Sequence, residues 1–263
     1  MNISVFLHHA KEAAKELGIP LSKMLKKAYD FGVSYVDADF DDMEEFLSTG
    51  ECGGVRVSSI YATYDLAHKD AFLRYHKHIN TAKRMGCKSI LIVPGLFSSS
   101  SSSVKEKELP IMLKRMKKIC AYAHKCGIIP TIEDYDNVLS PIATYEGMLT
   151  FLNEIPELMV SFDTGNFKYS AEDELTAFDA LKDRIVHVHL KDRGLLDNGT
   201  CYTTAVDGAK LYAVPVGYGA IKIPEIINRL KGMGYNGNYA MEFFGSKDYA
   251  KYIEDSASFL RNL

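Results

Sequence analysis

Ile185-Val-His-Val-His-Leu-Lys-Asp-Arg193 alternates along its length and is rich in β-branched residues, which is the pattern of a β-strand. Residues two apart on a strand project from the same face, so His187 and His189 share one. The charged run Lys191-Asp192-Arg193 follows at once. A core strand with two hydrogen-bonded histidines fits this stretch. So does a strand whose end meets solvent, a metal or a substrate. The neighbouring apolar runs favour the second reading, because three of them also carry an acid at or near their end. Ile128–Glu133 ends in Glu133, Leu158–Phe162 runs into Asp163, and Asn238–Phe243 carries Glu242.

The rest of the chain keeps the same rhythm. Further strands are expected at Ile3–His9, Tyr35–Phe40, Val55–Leu66 and Ser89–Val93. Helical spacing covers Pro20–Phe31, Asp42–Leu47, Asp70–Met85, Lys107–Cys126, Thr144–Leu152, Leu175–Leu181, Ile223–Met233 and Tyr249–Leu260. Glycines punctuate several helix ends. Six serines, Ser98–Ser103, read as a surface loop, and Gly194–Gly219 as a long loop over one end. Eight strands alternating with eight helices, with no linker or shift in composition, predict a single α/β domain over residues 1–263, a (β/α)8 barrel. An open doubly wound sheet would carry a glycine-rich turn after its first strand. Here that strand runs into His8-His9-Ala10.

Composition narrows the function. The net charge is −3 at pH 7, which speaks against nucleic acid or an anionic membrane as partner. The five cysteines, Cys52, Cys87, Cys120, Cys126 and Cys201, are odd in number and widely spaced, as expected of free thiols in the cytoplasm. No apolar run reaches the ~20 residues of a membrane span.

The strand ends of a (β/α)8 barrel converge on one face, where the chemistry sits. Adjacent strands lie ~4.8 Å apart, so Glu133, Asp163, His189 and Glu242 can reach one point. Taken singly, each has an ordinary explanation: a rim salt bridge for either glutamate, a helix cap for Asp163. Taken together, three crowded carboxylates repel unless a cation sits among them. Three carboxylate oxygens and one imidazole suit Mn²⁺ best, with Mg²⁺, Co²⁺ or Zn²⁺ as alternatives.

These pieces resemble the xylose-isomerase-like barrel superfamily, the sugar phosphate isomerase/epimerase group. The resemblance rests on Ile132-Glu133-Asp134, Ser161-Phe162-Asp163-Thr164-Gly165-Asn166, His187-Val188-His189-Leu190-Lys191-Asp192, Gly217-Tyr218-Gly219-Ala220-Ile221 and Met241-Glu242. It implies that Glu133, Asp163, His189 and Glu242 bind the metal and that Glu133 and Glu242 form the acid/base pair. It also implies frequent homo-oligomers. The chain departs from many ketose 3-epimerases of this group at three places. Asn166 stands where they carry a substrate-contacting histidine, Arg193 lies near but not at their arginine, and Leu139 replaces a second acid.

The expected function is a metal-dependent isomerase or epimerase of a sugar, sugar phosphate or keto-polyol. One glutamate would remove the proton beside the carbonyl, the metal would stabilise the enediolate as a Lewis acid, and the other glutamate would return a proton. His187 is expected to bind substrate or to support a metal ligand. Lys191 contacts a substrate oxygen or pairs with Asp192. Asn166, Arg193, His8 and Asp37 are further candidates for substrate contact. The alternatives are a same-fold lyase dehydrating a keto-inositol or similar polyol, an abasic-site endonuclease, and a non-catalytic sugar-binding barrel.

Overall fold

The structure is a computed structural model, and it describes residues 1–43, 46, 53–68 and 73–263. Eight parallel strands close into a barrel in the order β1-β11-β7-β6-β5-β4-β3-β2. The barrel strands are β1 Asn2–Phe6, β2 Val33–Asp39, β3 Arg56–Thr63, β4 Ser89–Val93, β5 Ile129–Ile132, β6 Met159–Asp163, β7 Ile185–Lys191 and β11 Asn238–Glu242. Eight helices among the described residues surround it: α1 Leu7–Glu16, α2 Leu21–Asp30, α3 Tyr75–Arg84, α4 Ser102–Lys125, α5 Tyr145–Glu154, α6 Glu174–Leu181, α7 Ile223–Gly232 and α8 Tyr249–Arg261. The outward faces of the strands pack on the helices and form the apolar core, with Val188, Leu190 and Met241 fully buried. None of the described helices is long and apolar enough to cross a membrane. Cys87, Cys120, Cys126 and Cys201 are free thiols.

Three expectations change. The first strand stops at Phe6, and His8 and His9 lie in the first turn of α1 rather than on a strand tip. Leu7, Ala10, Ala13 and Ala14 give that helix its buried stripe. The serine run is a loop only in part, because α4 begins at Ser102 and Glu108 on its second turn accepts from both the amide and the hydroxyl of Ser98. The long loop after β7 contains a three-stranded antiparallel sheet, β8 Arg193–Gly194, β9 Tyr202–Thr204 and β10 Lys210–Ala213. Its β9–β10 hairpin turns at Asp207-Gly208, where Gly208 has φ +88°. Residues 44, 45 and 47 of the helix expected at Asp42–Leu47, the start of the one expected at Asp70, and Cys52 lie outside the described residues.

Candidate metal centre and active site

Strand β7 builds the site by its period of two. His187, His189 and Lys191 point into the barrel at successive heights, while Val188 and Leu190 face the helices. Parallel register then sets Asp163 of β6 beside His189, and Glu242 of β11 beside Lys191. Glu133 follows β5 directly. One ligand atom from each of Glu133, Asp163, His189 and Glu242 lies within 4.8 Å of every other.

The acids are held in distinct ways. Asp163 Oδ1 accepts the backbone amides of Gly165 and Asn166, each at 2.7 Å, and Oδ2 is buried without a hydrogen-bond partner. Glu242 Oε1 lies 2.5 Å from Lys191 Nζ, while its Oε2 is likewise buried and unpartnered. Glu133 Oε1 meets His189 Nδ1, and Glu242 Oε2 is 3.6 Å from the same nitrogen. Burial pushes the Glu133 carboxyl up, partly opposed by His189. Burial pushes Asp163 well above the carboxylate range against the pull of Lys191, and the charges of Glu242 and Glu133 add to the rise. Burial disfavours the charged imidazole of His189, but Glu133 and Asp37 outweigh it and hold it well above the ordinary range. Lys191 is raised in the same way by Asp163 and Glu242, against desolvation. Two orphaned carboxylate oxygens, a third carboxylate and an imidazole converging in a buried pocket are a donor set that fits a hard divalent cation.

Two of these four residues, Glu133 and Glu242, line a cavity of 380 Å³ at the C-terminal ends of the strands. Glu133, Asp136, Asn166, Lys191 and Glu242 form its polar side, and Phe6, Tyr61, Leu91, Val93 and Phe244 its apolar side. A larger cavity of 560 Å³ at the opposite end of the barrel, beside Asn2, Lys231 and Arg261, is remote from these acids.

The remaining candidates fall in three places. Lys191 and Asn166 line the cavity, with Lys191 Nζ donating to Asn166 Oδ1 at 2.6 Å. Arg193 lies behind Asn166, donating to its Oδ1 at 3.2 Å and pairing with Asp136. Asp37 and His187 are buried below this cluster and do not line the cavity. His8 also lies off the lining, its ring stacked on Phe244 at 5.2 Å.

Sequence reasoning missed Asp136, Asp134 and the role of Asp192. Asp134 is fully buried with neither carboxylate oxygen partnered, and burial together with Asp163 and Glu133 pushes it well above the usual range. Asp192 makes no bridge to Lys191. Its carboxylate accepts the backbone amides of Arg193, Gly217, Gly219 and Ile221 at 2.8–3.1 Å. The glycines at 217 and 219 were the available signal, since backbone approaches a side chain closely there.

The sequence profile of the Xylose isomerase-like TIM barrel family matches residues 11–263. The chain belongs to that family. A comparison with curated protein sequences finds no match. Among solved structures, the probable 3-DHS dehydratase AsbF of Bacillus anthracis superposes with a TM-score of 0.75 at 16% identity, covering 100% of this chain and 99% of that one. D-allulose 3-epimerase from Methylomonas sp. in complex with D-allulose gives 0.72 at 15% identity, covering 100% and 96%. A Mycobacterium smegmatis member of the same barrel family, in complex with magnesium, gives 0.68 at 17% identity, covering 92% and 87%. At these identities the likenesses establish the fold.

Proposed function

We propose that this chain is a divalent-metal-dependent isomerase or epimerase of a ketose or keto-polyol. The observation that carries this reading is the convergence of Glu133, Asp163, His189 and Glu242 on one point, two of them, Glu133 and Glu242, lining the cavity. These four would hold the ion, and the set of three carboxylates and one imidazole suits Mn²⁺ or Mg²⁺. When bound, the ion supplies Lewis acidity toward a carbonyl and its neighbouring hydroxyl.

The chain's own residues do the rest. Glu133 and Glu242 enter the cavity from strands three places apart in the barrel order, so they flank what lies between them. One accepts the proton from the carbon beside the carbonyl, and the other donates a proton back. Return to the same carbon from the other face inverts it, and return to the next carbon moves the carbonyl. The Lys191 ammonium faces the cavity and offers hydrogen bonds to the oxygen on which negative charge develops. The Phe6, Tyr61 and Phe244 rings cover the C–H face of a sugar and keep water out. The structural likeness to a D-allulose 3-epimerase supports this reading.

A second reading has its own observation. Lys191 Nζ lies 2.5 Å from Glu242, so a proton taken by the glutamate has an acid beside it to protonate a departing β-hydroxyl. That would be a dehydratase, the activity named for the probable 3-DHS dehydratase.

Deuterium wash-in at the α-carbon, measured by NMR across neutral ketoses and keto-polyols with Mn²⁺ added, tests the proposal. Glu133→Gln and Glu242→Gln should each lose about 10²–10⁴-fold of the exchange. A product lighter by one water selects the dehydratase. Turnover without any solvent exchange points to hydride transfer and overturns the proton-transfer mechanism.

A further inference from the structure

A polar cluster below the four ligands is used by no step of that reaction. Its centre is Asp37 on β2, 1% exposed. Oδ1 accepts the Ser4 hydroxyl at 2.5 Å and the Ser58 hydroxyl. Oδ2 accepts from His187 Nε2 at 2.6 Å and lies 3.4 Å from His189 Nε2. The His189 ring thus has carboxylates at both nitrogens, Asp37 facing Nε2 and Glu133 and Glu242 facing Nδ1. Its faces are held too, by Phe6 at 4.9 Å and the His187 ring at 5.2 Å, both roughly edge-on.

The chemistry of Asp37 has one sign here. An ionised carboxylate only accepts, so the imidazole nitrogen facing it carries hydrogen. A neutral His189 with hydrogen on Nε2 has its lone pair on Nδ1, the nitrogen that faces Glu133 and Glu242. A carboxylate on the far nitrogen also makes the near one more basic. We propose that Asp37 is a positioning residue that sets the His189 tautomer and ring angle, so that Nδ1 is the metal-ligating atom. His187 and the two serines hold Asp37 in place. This rests on the metal reading above.

The test titrates the metal-free protein with Mn²⁺ by calorimetry. Asp37→Asn is the variant of choice because the two serine hydroxyls can turn to accept from the new amide, leaving an oxygen for the histidines. The wild type should bind one ion. Asp37→Asn should bind one ion about 10–100-fold more weakly, with the circular dichroism and melting temperature of its metal-free form close to wild type. If Asp37→Asn does not fold, Ser58→Ala, which keeps the carboxylate but frees one hold on it, should lose a few-fold in affinity. Electron spin-echo modulation of the Mn²⁺ form should show coupling to histidine labelled with ¹⁵N at Nδ1. Unchanged affinity in both variants, or coupling to Nε2 instead, overturns the assignment while leaving the metal centre intact. Two ions per chain would also overturn it, because Asp37, His187 and His189 are close enough to hold one themselves. A wild type that binds no ion overturns both readings.

Discussion

Lys191 brings a fixed positive charge to the carboxylates that would hold the ion. Its ammonium lies 2.5 Å from Glu242 Oε1 and 3.8 Å from Asp163 Oδ2. A divalent ion and an ammonium sharing those carboxylates at ~5 Å repel by on the order of 7 kcal/mol at an effective dielectric of ~20, much of it offset by the carboxylates between them. Replacing Lys191 by Met removes that repulsion. Lys191→Met should therefore bind Mn²⁺ about tenfold more tightly by calorimetry, while kcat falls about a hundredfold for want of the ammonium at the developing oxyanion. Tighter binding with full activity would show that Lys191 is only a counter-charge. The same residue shows what one-dimensional reading misses. The sequence put Lys191 beside Asp192 and offered a rim pair, but successive strand residues face opposite ways, and the two side chains serve different neighbours.

Asp192 ties the C-terminal end of the loop after β7 to the barrel. Four backbone amides, from Arg193, Gly217, Gly219 and Ile221, converge on one carboxylate. A Cβ at Gly219 would stand 2.2 Å from Asp192 Oδ1 and 2.7 Å from the Arg193 carbonyl. Asp192→Ala leaves those donors unpaired and should cost about 2–4 kcal/mol in urea unfolding, with new protease cleavage within residues 214–221. Gly219→Ala should give the same cleavage sites. Equal stability and the same digest as wild type would mean that other contacts hold the loop. Much at this scale was legible in the sequence. Ser89–Val93 was read to its ends and the start of β7 at Ile185 to the residue, because short runs rich in β-branched residues have few alternatives. Helix α1 was not, since His8-His9 resembled a polar strand tip and hid the alanine stripe behind it. The β9–β10 hairpin was missed because its strands are only three and four residues long. The depth of Asp37 was hidden for another reason. The β2–β3 register shifts between Val36 and Asp37, and alternation gives a residue's side of the sheet but not its height in the barrel.

At the scale of the whole molecule, the barrel brings together acids that disfavour one another. Burial raises the carboxyls of Glu133 and Asp163, so the metal-free protein binds protons that an ion must displace. The ion-bound form then holds fewer protons, and stabilisation by metal grows with pH. At about 100 times its dissociation constant an ion adds about 2.7 kcal/mol, a melting shift of about 5–10 °C for a chain of this size. The difference between Mn²⁺-loaded and EDTA-treated protein should be largest near pH 8 and shrink toward pH 5, as read by differential scanning calorimetry. A shift independent of pH would mean that the ion displaces no protons. The joint candidacy of Glu133, Asp163, His189 and Glu242 was readable at this scale because a barrel gathers strand ends. Asp136 and the aromatic wall belong to loops and to distant strands, and no periodicity announces them.

Glu242 sits on β11, the strand that seals the barrel by pairing with β1 along Asn2↔Asn238 to Val5↔Met241. A nascent polypeptide emerging from the ribosome therefore carries three of the four proposed chelating groups before the fourth. On the proposed ligand set, the seam and the coordination cage would be completed together, so fraying at that seam would let the ion escape, and a captured ion would act as a latch on the closed ring.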